Sequence, residues 1–298
     1  MEDRPKIGDA DTVAPGIRRV LAPNPSPMTH WGTNSYILGG SRVAVVDPGP
    51  DDPNHLNALL TAIGSAEVAC ILITHAHRDH TELVPAFVER VNAPVYAFGP
   101  PEAGRSDAMD RLARSGRAGG GEGVDRDFRP DQTLADGDVI ALGEMQITAH
   151  HTPGHFPGHL CFGIGDVLLS GDHVMGWSTT LISPPEGDVS SFIGSCETLL
   201  TLDHAVYLPG HGAPIADPHP HMVAQVKHRK HRESQILATL EDKPGTPDEI
   251  ARRIYKDLAP TLLPAAARNV LAHLVDLTER GLAEPRPTLA WDAEFFRS

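Results

Sequence analysis

Residues 71–80 read Ile71-Leu72-Ile73-Thr74-His75-Ala76-His77-Arg78-Asp79-His80. An apolar, β-branched run from Val68 to Ile73 leads into the polar residues, and such a short continuous run is typical of a buried strand. Three histidines and one aspartate therefore follow at the point where this strand ends. In open α/β sheets, ligands bind outside the carboxyl ends of the strands. The stretch predicts an α/β fold with a functional site at the end of this strand.

The spacing of these polar side chains favours metal binding. If His75 and His77 are extended, their two-residue spacing points both imidazoles to the same side. Asp79 and His80 then lie in the next turn, where the chain can direct two more ligands at a nearby point. A lone histidine after a strand is usually an ordinary surface or core residue, but four ligand-type residues in the order HxHxDH suit two divalent metals.

Three later segments each end an apolar, strand-like run with a glycine-containing turn that carries one more ligand-type residue. They are Thr152-Pro153-Gly154-His155, Ser170-Gly171-Asp172 and Leu208-Pro209-Gly210-His211-Gly212. Together with HxHxDH, in this order, these motifs resemble the metallo-β-lactamase fold superfamily of binuclear metallohydrolases. The resemblance covers roughly the first 215 residues. It implies a four-layer αββα sandwich.

The resemblance also implies a ligand set and a reaction. Seven residues would hold two metals: His75, His77 and His155 the first, Asp79, His80 and His211 the second, with Asp172 bridging both. Such a set suits two Zn²⁺ ions per chain and can also accept iron or manganese. The implied reaction is hydrolysis by a metal-bound hydroxide. Both carboxylates are predicted to be catalytic, because each has a role in placing this nucleophile.

Other polar residues near the motifs allow more than one interpretation. Asp47 either holds the metal loop in place without binding metal, as the resemblance implies, or caps the helix that begins near Pro53. His150 and His151 are interpreted as strand-end neighbours of the site. His159 could approach the site, but an ordinary structural role is favoured.

The composition is that of a globular protein, with 40% hydrophobic and 21% charged residues in a chain of 298. No apolar run reaches about 18 residues, so no membrane span is predicted. The N-terminal residues also lack the features of a signal peptide. Cys70, Cys161 and Cys196 lie singly in apolar sequence, which indicates buried residues in a reduced compartment. The predicted location is cytoplasmic.

Residues 100–131 interrupt the alternation of strands and helices. This stretch contains many arginines, several aspartates and the run Gly119-Gly120-Gly121. We interpret it as a solvated surface insertion with at most one short helix. A functional lid over the site is the alternative, because long loops in compact domains are often functional.

The chain after residue 218 predicts three helices and a short wing, which is a winged-helix pattern: His221 to Leu240, Pro247 to Asp257, Pro264 to Arg280 and Leu282 to Leu289. The predicted domains are 1–218, the hydrolase domain, and 219–298, a small winged-helix-like domain. This tail resembles that of the β-lactamase-like protein 2 subfamily, where it shapes the mouth of the active site. Its last helix lacks the cationic surface of a DNA-reading helix, so DNA is not a predicted partner.

One dense basic run lies in the long helix, with Lys227, Arg229, Lys230 and Arg232 within six positions. At about 100° per residue these side chains spread around the helix, so some of them face the hydrolase domain. There Glu233 or an acidic group of the substrate would pair with them.

The substrate is open between two classes. The subfamily resemblance implies either hydrolysis of esters and thioesters, including those on acyl carriers, or cleavage of single-stranded RNA. The net charge of −14 disfavours a polyanion, so a small acyl substrate is preferred and an endoribonuclease is the alternative. A non-catalytic metal-binding or winged-helix regulatory protein is a further alternative, which the intact ligand set disfavours.

Overall fold

The computed structural model describes residues 4–121 and 123–298. Its strands are β1 (Ala10–Ala14), β2 (Ile17–Leu21), β3 (Asn34–Gly39), β4 (Arg42–Val46), β5 (Glu67–Leu72), β6 (Val95–Ala97), β7 (Gln132–Thr133), β8 (Val139–Leu142), β9 (Met145–His151), β10 (Leu160–Ile164), β11 (Val167–Gly171), β12 (Val206–Pro209), β13 (Ala283–Arg286) and β14 (Glu294–Arg297). Its helices are α1 (Pro53–Ile63), α2 (Arg78–Thr81), α3 (Val84–Val91), α4 (Asp107–Arg114), α5 (Val189–Leu199), α6 (Pro218–Asp242), α7 (Pro247–Ile254) and α8 (Leu263–Glu279), with a 3-10 turn at Pro260–Leu262.

Two mixed sheets form the larger part of the molecule. The first has the strand order β1-β2-β3-β4-β5-β6-β7, and the second has the order β12-β11-β10-β9-β8. β5, which precedes the histidine-rich stretch, is parallel to both of its neighbours, β4 and β6. β11 and β12 are also parallel. Parallel neighbours end at the same edge of a sheet, so the turns that follow them lie side by side.

The alternation of side chains along the strands builds two apolar layers. In β4, Val43 and Val45 face a core shared with α1 and α3, whereas Ala44 and Val46 face the second sheet. On its far side the second sheet contacts residues of α5 and α6, among them Leu199. Helices therefore cover both outer faces of two packed sheets, and the predicted four-layer αββα sandwich is confirmed.

α6 to α8 and the hairpin of β13 and β14 form a second apolar core. The winged-helix architecture is confirmed, but the predicted wing is too short. Its first strand, Ala283–Arg286, lies inside the predicted span, whereas its partner strand is Glu294–Arg297, beyond Leu289. Several residues separate the two strands, so the sequence has no tight hairpin turn that would indicate their pairing.

The short helix that the sequence allows in the stretch 100–131 is present as α4, but the prediction of a solvated insertion is wrong over the part that the structure describes. Ser106 caps α4, and the buried side chains Met109 and Leu112, which are 2% exposed, pack into the core of the winged-helix part. Arg111 and Arg114 lie on the exposed side of α4, and Arg117, Arg126 and Arg129 are exposed beyond its end. Residue 122 of this stretch lies outside the described residues.

No helix within residues 4–121 and 123–298 is both long and apolar enough to cross a membrane. Cys70, Cys161 and Cys196 are free thiols and are buried, as their apolar sequence context predicts. Burial raises the pKa of all three thiols, most strongly to about 12 for Cys161 and Cys196. They therefore act as small apolar core residues.

Candidate active site

The first sheet supplies four of the predicted ligands from one turn. His75 follows β5 in extended chain, His77 precedes the short helix α2, and that helix carries Asp79 and His80. The ring nitrogens His75 Nε2 and His77 Nδ1 are 2.8 Å apart. The expectation that the two-residue spacing directs both imidazoles to one side therefore agrees with the structure.

The second sheet supplies the other three ligands from three different turns. His155 follows β9, Asp172 follows β11 and His211 follows β12. His155 Nε2 lies 3.1 Å from His77 Nδ1, across the gap between the sheets. Seven donor residues are brought together in two groups: His75, His77, His155 and Asp172, and Asp79, His80 and His211.

Asp172 lies between the two groups. Its Oδ2 atom is 3.7 Å from His155 Nε2 in the first group and 3.3 Å from His211 Nε2 in the second. Its Oδ1 atom is 3.6 Å from His80 Nε2. One carboxylate thus faces both groups, which is the geometry that a bridging ligand requires.

The donor chemistry of the first group fits a cation. Burial and the neighbouring imidazoles hold the pKa of His75 well below its usual value, and burial followed by the His155 charge lowers that of His77 to about 3. The pKa of His155 is also lowered, chiefly by burial. Three imidazoles that are kept neutral and bring ring nitrogens to within 3.1 Å of one another suit a divalent metal.

In the second group, nearby carboxylates raise the pKa of a histidine. Burial lowers the pKa of His80, but Asp79, Asp47 and Asp172 outweigh it and raise this pKa to about 9. Two buried side-chain atoms, His80 Nε2 and Asp172 Oδ1, have no hydrogen-bond partner among the described residues. Buried polar atoms are normally satisfied, so these two fit a ligand that the protein itself does not provide.

Asp47 fixes this turn from outside the ligand set. Its carboxylate accepts hydrogen bonds from the Thr74 backbone N (2.8 Å), the Thr74 hydroxyl (2.7 Å) and His80 Nδ1 (2.8 Å). Asp47 itself has a φ of 50°, which is unusual for a residue other than glycine. Asp52, not Asp47, caps α1, so the capping interpretation of Asp47 is wrong.

Hydrogen bonds from outside the ligand set also orient three other donors, His155, His211 and Asp79. His155 Nδ1 donates to the Leu181 carbonyl at 2.7 Å, and His211 Nδ1 donates to the Gly32 carbonyl at 3.1 Å. Each bond places the proton on Nδ1 and leaves Nε2 free to face the groups, as metal-ligating histidines require. Thr33 Oγ1 donates to Asp79 Oδ2 at 3.2 Å.

His159 is a supporting residue, in agreement with the structural role that the sequence analysis favours. It is completely buried, and its Nε2 accepts a hydrogen bond of 3.2 Å from the backbone N of Asp172. Its Nδ1 then donates to the Thr152 hydroxyl at 2.9 Å. His159 therefore positions Asp172 and lies outside both donor groups. His150 and His151 lie in β9 and also lie outside them, as predicted.

Gly210 makes room for these side chains. A Cβ atom at this position would collide with Asp172 Oδ1 and would lie 2.9 Å from His80 Cε1. The glycine before His211 is thus required by the close approach of the backbone to the bridging carboxylate.

The two donor groups lie at the floor of a pocket of about 740 Å³. One wall belongs to the sandwich and includes Met175, Trp177 and Leu181. The opposite wall comes from α6, from the segment between α7 and α8 and from the first turns of α8: His228, Arg229, Arg232, Tyr255, Leu258, Leu262, Pro264, Ala265, Ala266, Arg268 and Asn269. The pocket is of the size that ligand sites usually have.

A family model of the metallo-beta-lactamase superfamily matches residues 28–211, and one of the beta-lactamase associated winged helix domain matches residues 246–290. The chain belongs to the metallo-beta-lactamase superfamily. The predicted enzyme class is thereby confirmed: the chain is a metal-dependent hydrolase.

Relatives of this superfamily member include a beta-lactamase-like protein 2 homolog of Drosophila melanogaster, 31% identical over 94% of this chain and 93% of that protein. An atrochrysone carboxyl ACP thioesterase of Aspergillus fumigatus is 28% identical over 80% of this chain and 69% of that protein. A solved metallo-beta-lactamase family protein from Thermus thermophilus superposes with a TM-score of 0.77 at 26% identity, over 96% of this chain and all (100%) of that one. The predicted resemblance to β-lactamase-like protein 2 is confirmed.

The matches leave residues 212–245 between the two family models, so the domain boundary at 218/219 stays a prediction. α6 spans most of this interval and contributes to both the sandwich and the winged-helix part of the molecule. Met222 packs against the second sheet, whereas Ile236 lies in the winged-helix core.

The basic run on α6 divides between two environments. Lys227 and Lys230 are exposed, whereas Arg229 is buried and Arg232 is half-buried in the pocket wall. The expectation that some of these cations face the hydrolase domain agrees with the structure. The expected pairing with Glu233 is wrong, because Glu233 pairs with Arg280 at 2.7 Å.

Proposed function

We propose that this hydrolase binds two Zn²⁺ ions and cleaves an ester or thioester of a small acyl substrate. The observation that carries the proposal is the placement of two donor groups, with Asp172 between them, beneath a pocket whose opposite wall combines apolar side chains with arginines. The thioesterase from Aspergillus fumigatus among the relatives supports this choice of substrate class.

In this proposal His75, His77 and His155 bind the first ion, Asp79, His80 and His211 bind the second, and Asp172 binds both. Two bound zinc ions supply Lewis acidity for a carbonyl oxygen and lower the pKa of water towards neutrality. Iron or manganese would suit the same donors, because imidazole and carboxylate ligands accept all three metals.

The two carboxylates have different exposures and therefore different roles. The Asp79 side chain is 28% exposed and that of Asp172 is 9% exposed, so Asp79 is the carboxylate that a water molecule in the pocket can reach. The histidines His80 and His211 hold the pKa of Asp79 below its usual value against the opposing effect of burial. Asp79 thus remains an acceptor that can orient the attacking water, while Asp172 fixes the spacing of the two groups.

The leaving group fits the residues of the site. A thiol has a pKa of about 8.5, so it departs as a thiolate without a strong general acid. The apolar side chains of Leu258, Leu262 and Ala265 provide a surface for an acyl chain in the opposite wall. Hydrolysis of a thioester therefore needs no residue beyond the donor groups and this wall.

The test is elemental analysis of a zinc-supplemented preparation together with a hydrolysis panel of thioesters, oxygen esters, lactones, nitrocefin and single-stranded RNA. We expect about two ions per chain, because seven donors suffice for two sites only when one of them bridges. We also expect the highest kcat/KM with thioesters. One ion or fewer per chain would contradict the binuclear assignment, and activity on RNA alone would establish the endoribonuclease alternative instead.

A further inference from the structure

Two arginines of the pocket wall have no acidic partner in the part of the chain that the structure describes. Among residues 4–121 and 123–298, no carboxylate oxygen lies within ion-pair distance of Arg229 or Arg232, although both belong to the wall opposite the donor groups. Buried or half-buried cations are usually paired, because an isolated charge loses its hydration without compensation. This part of the pocket therefore has an unbalanced positive charge.

Arg229 is held in place by neutral groups only. It is 3% exposed, donates to the Asn269 side-chain oxygen at 3.0 Å and to the Thr180 carbonyl, and lies 5.3 Å from the centre of the Phe192 ring. Its Nε atom has no hydrogen-bond partner among the described residues. Burial lowers the pKa of this guanidinium to about 10, so it still carries its charge near neutral pH.

Arg232 is one helical turn further along α6 and extends over Tyr255. Its guanidinium carbon lies 4.1 Å from the centre of the tyrosine ring, and its Nη1 donates to Gln235 at 2.6 Å. Its Nε atom is buried and, in the part of the chain that the structure describes, has no hydrogen-bond acceptor. Stacking on Tyr255 fixes the plane of the guanidinium, so its remaining donors are oriented before a ligand binds.

The nearby carboxylates are already engaged elsewhere. Glu233, the residue after Arg232, pairs with Arg280, and Glu186, which also lines the pocket, pairs with Arg105 at 3.0 Å. Neither can neutralise the two arginines without giving up its own partner. Among the described residues no free carboxylate is left to balance the two arginines, and a bound anion can supply that charge.

We propose that Arg229 and Arg232 form an anion-binding subsite, and that the substrate is an acyl ester or thioester carrying a carboxylate or a phosphate away from its reacting carbonyl. The inference rests on the proposed function for the identity of that carbonyl group. Arg232 contacts the anion, and Arg229, more deeply buried, supports it electrostatically. The apolar residues Leu258 and Leu262 of the same wall contact the carbon chain.

A single charged group accounts for these cations better than a polynucleotide does. A nucleic acid strand needs a row of cations along its backbone, and the remaining basic residues of α6, Lys227 and Lys230, are exposed outside the lining of the pocket. Lys230 faces Glu197 at 3.5 Å instead. Arg229 and Arg232 thus form a cationic spot of limited extent.

The experiment compares the binding of non-hydrolysable amide analogues to the metal-loaded protein by titration calorimetry. Each probe is an amide in which an NH group replaces the thioester sulfur, so that no free thiol can bind the metals. The hexanoyl amide of N-acetylethylenediamine is the neutral probe, and its adipoyl counterpart places a carboxylate on the acyl side. The hexanoyl amide of the amine analogue of phosphopantetheine places a phosphate on the thiol side, and the same amide without the phosphate is its neutral counterpart. The variants are Arg232→Gln, the conservative Arg232→Lys, and the matched control Lys230→Gln, which removes the same charge from the same helix outside the pocket.

We expect one of the two anionic probes to bind the wild-type protein about tenfold or more tightly than its neutral counterpart, as hydrogen bonds to charged groups allow. Arg232→Gln should abolish this preference, Arg232→Lys should retain part of it, and Lys230→Gln should leave it unchanged. The preferred probe identifies the anion as a carboxylate of the acyl group or a phosphate of the leaving group.

No preference for either anionic probe would overturn the subsite. A preference that survives in Arg232→Gln would also overturn it, because the anion would then bind the metals instead. Turnover of the matching thioesters is measured separately. Its absence would contradict the proposed function while the binding data still decide on the subsite.

Discussion

The floor and the opposite wall of the pocket are built in different ways. On the floor, seven donors come from turns at the ends of strands, and hydrogen bonds such as that from His155 to the Leu181 carbonyl fix each ring. On the opposite wall, Arg229 and Arg232 project from α6 and Tyr255 directly follows α7, and their positions depend on how the winged-helix part packs against the sandwich. The sheet fixes the position of a turn at the end of a strand. The residues that a helix presents to a neighbour depend instead on which of its faces packs there.

The difference separates chemistry from selectivity. The floor requires exact residue types, because metal ligands cannot be exchanged without loss of the site. The opposite wall needs only a suitable shape and charge, so its residues can vary while the reaction stays the same. Changes on the floor should therefore abolish turnover, and changes to the opposite wall should shift stability or substrate preference.

The largest effect is expected for Asp172→Ala. Loss of the carboxylate between the groups should lower kcat by more than about 100-fold, beyond the usual range for residues that only support metal ligands. The apolar strands should keep the protein folded, which circular dichroism would check. Asp166→Ala, in the exposed turn between β10 and β11, is the control. A normal kcat in Asp172→Ala with its metal content preserved would contradict the bridging role.

The next effect concerns the attachment of the opposite wall. Leu112→Ala should lower the free energy of unfolding by about 2–4 kcal/mol, because it leaves a cavity where α4 enters the winged-helix core. Urea denaturation would measure it. Val139→Ala, at a side chain that is 55% exposed, should change stability by less than about 0.5 kcal/mol. Equal stability of the two variants would show that α4 does not hold this wall.

A smaller effect is expected for Asp47→Asn. Asparagine tolerates the positive φ of this position and keeps the shape, but it loses the negative charge that binds His80 and Thr74. Metal affinity should fall by about 10- to 100-fold. Competition with a chromogenic chelator would measure the change, with Asp51→Asn on the exposed neighbouring turn as control. Unchanged affinity would reduce Asp47 to a purely structural residue.

The smallest effect is the response of small-substrate turnover to salt. A single anion in the pocket exchanges few counterions, so kcat/KM for a thioester should change by less than about threefold between about 50 and 200 mM salt. Binding to single-stranded RNA would weaken with a logarithmic slope of about 0.7 for each neutralised phosphate. A steep slope for the substrate that is actually cleaved would favour the endoribonuclease.

The sequence predicts the floor of the pocket well and the opposite wall poorly. HxHxDH and the three glycine turns follow strands whose ends are fixed by the sheet. The proximity of their ligand-type residues in space could therefore be inferred from where they stand in the sequence. The contribution of Arg232 depends on which face of α6 meets the sandwich, and the basic run covers several faces. Tyr255 carries no motif at all, so only the packed structure could reveal it.

Residues 100–131 show a second limit of prediction from the sequence. Met109 and Leu112 are spaced as one helix face, but arginines and glycines dominate the surrounding composition. Composition describes the average of a segment, whereas docking depends on the few side chains that become buried. The predicted extent of the wing is wrong for a related reason. β14 pairs with β13 across a loop that is longer than a tight hairpin turn.

Each donor group takes ligands from both sheets, and this has a consequence for assembly. His77 and His155 are 78 positions apart in the chain, and neither sheet alone can complete either group. An ion bound here would cross-link the two halves of the sandwich as a disulfide does, and its binding free energy would become part of the folding free energy. Metal loading would then complete the catalytic centre and link the two sheets in the same event.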